Sequence, residues 1–261
     1  MRDLGLQQAI DAAGGIGELA RKIGISQPSV SNWSRVPAER VAAVAELTGI
    51  DRAVLRPDLF GESRLNAPEI DEIDSARAQE YALLASLLSR APDRAFLQRL
   101  GRLRGDATPL GIAHVQLAQV AGHIDHAQVE REFFDLFIGI GRGELLPYGS
   151  YYLTGFLHER PLARLRDDLS RIGIARAEGV AEPEDHAAIL CEIMSGIVGG
   201  QFAAPPDSDR MIFEKHLAPW IGRFFADLER VPGTEFYRAV GALGSLFMSL
   251  EKDAFGLADA A

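Results

Sequence analysis

Residues 129–152 read VEREFFDLFIGIGRGELLPYGSYY, and the reading of the whole chain works outward from them. Val129, Phe133, Leu136, Phe137 and Ile140 fall on one stripe at helical spacing, and Phe134 widens it. Asp125, with Gln128 three residues on, predicts a capping box at the start of this helix. Gly139, Gly141 and Gly143 predict its end, because glycine tolerates backbone conformations that a side chain penalises. Leu145, Leu146, Pro147 and Tyr148 then form a stiff apolar segment that must lie against other parts of the chain. Such a succession makes either the centre of a core or the floor of a groove. The alternate glycines also suggest a phosphate-cradling loop, but such loops follow a strand and open a helix. These follow a helix and have no Lys-Ser/Thr after them, which argues against a nucleotide at this turn.

With 47% hydrophobic and 25% charged residues, the composition is that of a soluble globular protein. No apolar run approaches the roughly 20 residues that span a bilayer, so no membrane insertion is expected. The opening MRDLGLQQAIDAAGG lacks an apolar signal core, and Cys191 is the single cysteine. One thiol makes no intrachain disulfide and holds no iron–sulfur cluster alone, so a cytoplasmic location is the expectation. The net charge of −10 is uneven: residues 1–62 carry seven basic against eight acidic residues, a net −1, which leaves −9 on the remainder. Acidity on that scale disfavours nucleic acid as the partner of the larger part.

Residues 1–62 read as a compact bundle of short helices. Leu6, Ala9, Ile10 and Ala13 make one stripe, stopped by Gly14 and Gly15. Ile16, Leu19, Ala20 and Ile23 make a second, ended at Gly24. Ser26 is a natural N-cap with Pro28 in the first turn of a third helix through about Trp33. Pro37 opens a fourth, with Val41, Val44, Ala45 and Thr48 inward. Two short helices joined at Gly24 have helix-turn-helix geometry. Residues 63–75 read as a linker, with Pro68 and an acidic run of Glu69, Asp71, Glu72 and Asp74. From residue 76 to 261 the periodicity is helical throughout, with no strand-like alternation. The fold class is therefore all-α: a small N-terminal helix-turn-helix bundle followed by a larger helical bundle.

In the larger part, Phe156 to Leu169 reads as an amphipathic helix with Arg160, Arg164 and Arg166 on its polar side, and Gly173 and Gly179 bracket a loop. Pro183 suits a first helical position, with Glu184 and Asp185 in the first turn complementing the helix dipole. Asp185 and His186 then stand at the polar lip of a buried stripe that runs through Leu190, Met194 and Val198. Ser208 or Asp207 caps a later helix that Pro219 should kink. A final helix is predicted over Glu235 to Leu250, with a frayed Ala-rich tail. His123 and His126 share a helix face, but no third ligand accompanies them, so no metal is expected. No Ser-His-Asp order in motif context and no paired carboxylates at a recognisable spacing appear, so the chain reads as a binding protein and not an enzyme.

The segment GGIGELARKIGISQPSVSNW, followed by VPAERV and LRPDLF, resembles the Cro-like/YdaS helix-turn-helix family almost end to end. That resemblance turns Val30 and Trp33 inward and Gln27, Ser29, Ser31 and Asn32 outward on the recognition helix. Gln and Asn pair with adenine edges, and Arg21, Lys22 and Arg35 flank the motif as phosphate contacts to operator DNA. Such readers commonly work as dimers on paired half-sites, so a homodimer is an open expectation. Glu132, Phe137, Gly139, Gly141, Leu146-Pro147-Tyr148 and Ser150, with Glu182-Pro183-Glu184-Asp185-His186, resemble the signature of the TorD/DmsD family of redox-enzyme maturation chaperones over roughly Ser75 to Phe255. His216-Leu217 with Pro219-Trp220 resembles the family's later motif, and Tyr148 stands where that family often has Trp. The resemblance implies a chaperone that holds a molybdenum-containing oxidoreductase subunit, or its twin-arginine signal peptide, before cofactor insertion. It assigns client binding to Glu132, Phe137, Leu146, Pro147, Tyr148, Ser150, Glu182, Pro183, Asp185 and His186. It implies no bound cofactor beyond weak contact with guanine nucleotide or molybdopterin guanine dinucleotide. The competing expectation is a transcription regulator of a molybdoenzyme operon whose helical part senses or dimerises.

Overall fold

A computed structural model describes residues 3–56, 71–176 and 182–258, and the chain divides into two units, Met1–Glu69 and Ile70–Ala261. The PDLF end of the YdaS-like match, most of the linker, Gly179 and the Ala-rich tail lie outside the described residues. Helix dominates both units, and the one extended pairing among the described residues is an isolated antiparallel bridge between Tyr148 and His186.

The smaller unit contains α1 (Leu4–Ala13), α2 (Ile16–Lys22), α3 (Gln27–Ser31), α4 (Val41–Thr48) and α5 (Arg52–Leu55). Side-chain caps start three of them: Asp3 accepts from Leu6 N, Ser26 from Ser29 N and Asp51 from Ala53 N. Gly14 and Gly15, at φ +90° and +120°, make the left-handed turn that lets α2 fold back on α1. Leu6, Leu19, Val30, Val36, Val44 and Leu55 close a core of their own. Two expectations shift here. The third helix ends at Ser31, with Trp33 in the turn that follows, and a 3₁₀ turn over Ala38–Arg40 precedes the fourth helix.

The larger unit contains α6 (Glu72–Ser89), α7 (Arg94–Leu100), α8 (Pro109–His123), α9 (His126–Phe133), α10 (Gly149–Thr154), α11 (Arg160–Arg171), α12 (Ala187–Val198), α13 (Ser208–Ile212), α14 (Ile221–Arg230) and α15 (Phe236–Ala258). The apolar α12 packs along α6, close enough for Ser195 Oγ to donate to Ala78 O at 2.9 Å. α15 packs on α14 and α8 and completes the core around Phe224, Phe225, Phe236, Tyr237 and Trp220.

Several sequence expectations are corrected. Asp125 precedes α9 but makes no side-chain cap bond, and the Gln128 side chain, the other half of the expected box, turns to Glu132 at 3.3 Å. α9 widens over Phe134–Ile138 into a turn in which Gly139 N donates to Phe134 O, five residues back. That widening and the left-handed Gly139 throw Ile140 off the apolar stripe, leaving it 99% exposed. The helix expected from Phe156 begins only at Arg160, because His158 adopts a positive φ of 60°. Of the acidic run, Glu69 lies outside the described residues and Asp71 and Glu72 are exposed; Asp71 also caps α6 at Asp74 N, and Asp74 pairs with Arg77 at 2.7 Å. Asp207 precedes α13 without a side-chain cap bond, and Ser208 Oγ donates to Pro205 O. The chain widens again over Phe213–Leu217 before Pro219, and α14 restarts at Ile221. α15 runs to Ala258 and not to Leu250, since Glu251 is bound by Arg77 and Tyr81 and nothing beyond it breaks a helix.

Candidate functional site

Two segments far apart in sequence are knitted into one edge. Gly149 N donates to Asp185 O at 2.9 Å and Ala187 N to Pro147 O at 2.8 Å, on either side of the Tyr148–His186 bridge. Pro147 supplies stiffness without needing a donor, and Gly149 is favoured by space: a Cβ there would meet the Trp220 indole Nε1 at 3.0 Å, so the buried ring would have to shift. Asp185 fixes the register further, its Oδ2 accepting from Ser150 N at 2.7 Å. The Tyr148 ring stands edge-on to His186 at 5.0 Å, and its hydroxyl donates to Glu182 Oε2 at 2.7 Å. Burial and the acceptor Glu182 both push the Tyr148 hydroxyl well above its ordinary pKa.

The expectation that Pro183 opens α12, with Glu184 and Asp185 in its first turn, is corrected. The helix begins at Ala187, and His186 is its N-cap, with Nδ1 accepting from Ala188 N at 3.1 Å. Cap duty needs an unprotonated Nδ1, and burial lowers the His186 pKa against the pull of Glu182 and Asp185. Glu184 instead ties the edge to α11: burial pulls its carboxyl upward, but Arg166 at 2.8 Å outweighs that and holds it below the usual range.

Beside this edge lies a cleft of about 520 Å³ between α10, α11 and the widened turn before Pro219. Asp167, Asp168, Asp185 and Glu214 line it with Arg164, Arg171 and Lys215, over an apolar floor of Leu153, Pro161, Leu165 and Pro219. Asp168 is buried on the apolar face of α11 and receives His216 Nε2 at 2.9 Å, Arg171 at 2.6 Å and Lys215 at 3.6 Å. Burial works against its charge, but His216 and the two cations prevail and its pKa falls. Two atoms of this edge are buried without a hydrogen-bond partner: Asp185 Oδ1, on a residue that lines the cleft, and Ser150 Oγ, fully buried behind it. Such atoms are costly to leave unsatisfied and mark where a ligand's polar groups are best accepted.

Pro147, Tyr148, Ser150, Glu182, Pro183, Asp185 and His186 are thus brought together, with the half-buried Leu146 in the turn before Tyr148. Glu132 and Phe137 stand elsewhere. Glu132 is buried and caps α15, accepting from Glu235 N, Phe236 N and Tyr237 N at 3.0, 3.0 and 3.2 Å. Phe137 packs edge-on against Phe133 and Tyr237. Asp168, Arg171 and Lys215 were missed from the sequence. The signal for Asp168 was present: an acid interrupting the stripe of Leu162, Leu165 and Leu169.

In the smaller unit, Gln27, Ser29, Ser31 and Asn32 are all exposed on or just after α3, while Val30 is buried and Trp33 half-buried. The flanking cations are partly engaged. Arg21 pairs with Glu18 at 2.6 Å, Lys22 Nζ donates to Ala13 O at 3.2 Å, and Arg35 is exposed. Ser29 Oγ is held by Ser26 Oγ at 2.7 Å.

Residues 104–226 match the family model described as nitrate reductase delta subunit, and residues 6–64 match the model described as bacterial toxin YdaS. The chain is 27% identical over 207 residues to a chaperone protein TorD of Aliivibrio fischeri, covering 70% of this chain and 96% of that one. It is also 27% identical over 219 residues to a chaperone protein TorD of Shewanella loihica, covering 74% and 100%. A putative redox enzyme maturation protein from Archaeoglobus fulgidus aligns with a TM-score of 0.45 at 19% identity, over 67% of this chain and 93% of that one. No described helix is long and apolar enough to cross a membrane.

Proposed function

The larger unit belongs to the TorD family of redox-enzyme maturation chaperones and a YdaS-type unit precedes it, and from that premise we propose that the chain holds an unfinished molybdoenzyme subunit through its leader peptide. The observation that carries this reading is the cleft beside the Tyr148–His186 bridge. A twin-arginine leader is basic at its start and apolar in its middle. Asp185 Oδ1, on the cleft wall, offers an unpartnered acceptor to a guanidinium, and Asp167 adds negative charge beside it. Leu153, Leu165 and the two prolines offer the apolar run a surface to cover. Charge speeds the encounter, and burial of apolar side chains, about 1.5–3 kcal/mol for each one fully covered, supplies the affinity.

The test is calorimetric. The full chain is titrated with a synthetic peptide of two adjacent arginines followed by an apolar run of about 12 residues. Binding is expected at one peptide per chain, with Asp185→Asn and Tyr148→Ala each weakening it about tenfold while the melting temperature stays within a few degrees. Unchanged affinity in both variants removes the bridge from the site.

A second reading rests on the smaller unit, where Gln27, Ser31 and Asn32 are exposed beside a buried Val30. It makes this unit a reader of operator DNA that couples client occupancy to transcription of the client's operon, or, in its stronger form, makes the whole chain a regulator whose helical unit senses or dimerises. With Arg21 and Lys22 engaged locally, the salt dependence of DNA binding should be shallow. Recovery of operator DNA alone from a native pull-down favours the regulator, and recovery of a molybdoenzyme favours the chaperone.

A further inference from the structure

Away from the cleft, α6, α8, α15 and the chain at Leu103–Arg104 enclose a second groove of about 760 Å³. That is the size of a small-molecule site, roughly 300–1,000 Å³. Its walls are apolar: Leu83, Leu103, Leu110 and Phe247, with Ile73 and Leu250 at the rim, 71% and 44% exposed. Two polar groups converge on it. Glu80 from α6 and His114 from α8 meet at 2.8 Å through Glu80 Oε2. Glu80 is more than nine-tenths buried, and its other oxygen, Oε1, has no hydrogen-bond partner. A buried carboxylate oxygen without a donor is costly, so this wall is complete only when something donates to it.

The surrounding charge narrows the donor. Arg77 lines the groove but is shared among Asp74, Asp209 and Glu251 at 2.7, 3.1 and 2.7 Å, so its positive charge is more than neutralised. Glu72 adds a further carboxylate, and the other basic groups are Arg104 at the exposed mouth and His114, whose Nε2 is spent on Glu80 Oε2 and leaves Oε1 unserved. The field at Glu80 therefore favours a positively charged donor.

We propose that this groove is a binding site for a small cationic amphiphile: an alkyl or aryl ammonium whose apolar body lies on Leu83, Leu110 and Phe247 and whose N–H donates to Glu80 Oε1. The terminal carboxylate torsion of a glutamate is soft, so Oε1 can meet the ligand while Oε2 stays with His114. A neutral alcohol of the same length supplies the donor without the charge. A carboxylate of that length sets like charge against Glu80 and has only Arg104 in its favour. The site therefore ranks ammonium above alcohol above carboxylate.

The full chain is titrated at neutral pH with octylammonium, octanol and octanoate, each below its aggregation limit. One octylammonium per chain is expected, bound about tenfold more tightly than octanol and more tightly still than octanoate. Glu80→Gln removes the preference for the ammonium while leaving octanol affinity within about twofold. Ala76→Trp, on the exposed groove face of α6, blocks all three without disturbing the core. Equal affinity for octylammonium and octanoate, an undiminished preference in Glu80→Gln, unimpaired binding in Ala76→Trp, or no saturable binding at all overturns the proposal.

Discussion

Glu80 with His114 in the groove and Asp168 with His216 beside the cleft are near-twins, joined at 2.8 and 2.9 Å through the same imidazole nitrogen. The two rings nevertheless move in opposite directions. His114, its side chain 18% exposed, is pushed up because the bond to Glu80 outweighs burial. His216, 8% exposed, is pushed down because burial outweighs Asp168 and Lys215 repels the same proton. A carboxylate at hydrogen-bond distance does not by itself decide whether a histidine is charged; solvation and the third charge do.

The largest test of that contrast removes the carboxylates. Asp168→Ala strips His216, Arg171 and Lys215 of a shared acceptor and should cost about 2 kcal/mol, less than a sealed pair because the cleft admits water. Glu80→Ala should cost about half as much, since it also removes an oxygen that had no partner. Urea unfolding of the full chain measures both, and equal losses would break the contrast.

The next effect is in pH. His114 has a folded pKa above its unfolded value near 6.5, so its contribution is complete below that value and is lost as pH rises through the folded pKa. His216 is the reverse: its folded pKa is depressed, so its contribution is present above 6.5 and fades as pH falls toward the folded pKa. The stability cost of His114→Asn should therefore shrink on going alkaline, and that of His216→Asn on going acid. Parallel trends in the two variants would show that the third charge is not what separates the pairs.

Smaller effects come from pairs nearer the surface. Tyr148→Phe, losing the 2.7 Å bond to Glu182, should cost about 0.5 kcal/mol by the same unfolding measurement. Arg21→Gln should leave the melting of the smaller unit unchanged, because the Arg21–Glu18 pair is open to solvent.

Much of the fold was legible because it is written locally. Ser26, Gly14, Gly15 and the stripe of Leu6, Ala9 and Ile10 act within a few residues, and each does what its spacing predicts. The candidate site was legible only through resemblance, since Tyr148 and His186 stand 38 positions apart and no periodicity joins them. Asp168–His216 and Glu80–His114 were illegible for the same reason: 48 and 34 positions separate the partners, and no periodicity joins them. Ile140 shows the other failure. The helical period extrapolates smoothly past Phe137, but a turn one residue wider rotates everything after it, and Ile140 leaves the core. His186 shows a third: an imidazole can start a helix when its ring nitrogen stays unprotonated, and cap rules built on Ser, Thr, Asp and Asn overlook it.

The close approach of Gly149 to Trp220 has an optical consequence. That indole lies directly beneath the edge of the cleft and touches Tyr152 and Phe224, whereas the chain's other tryptophan, Trp33, sits in the smaller unit. Each unit is thereby furnished with its own native fluorophore. With Trp33 replaced by Phe, emission reports on the surroundings of Trp220 alone, and with Trp220 replaced by Phe it reports on the smaller unit alone, so two signals can be read without attaching a dye.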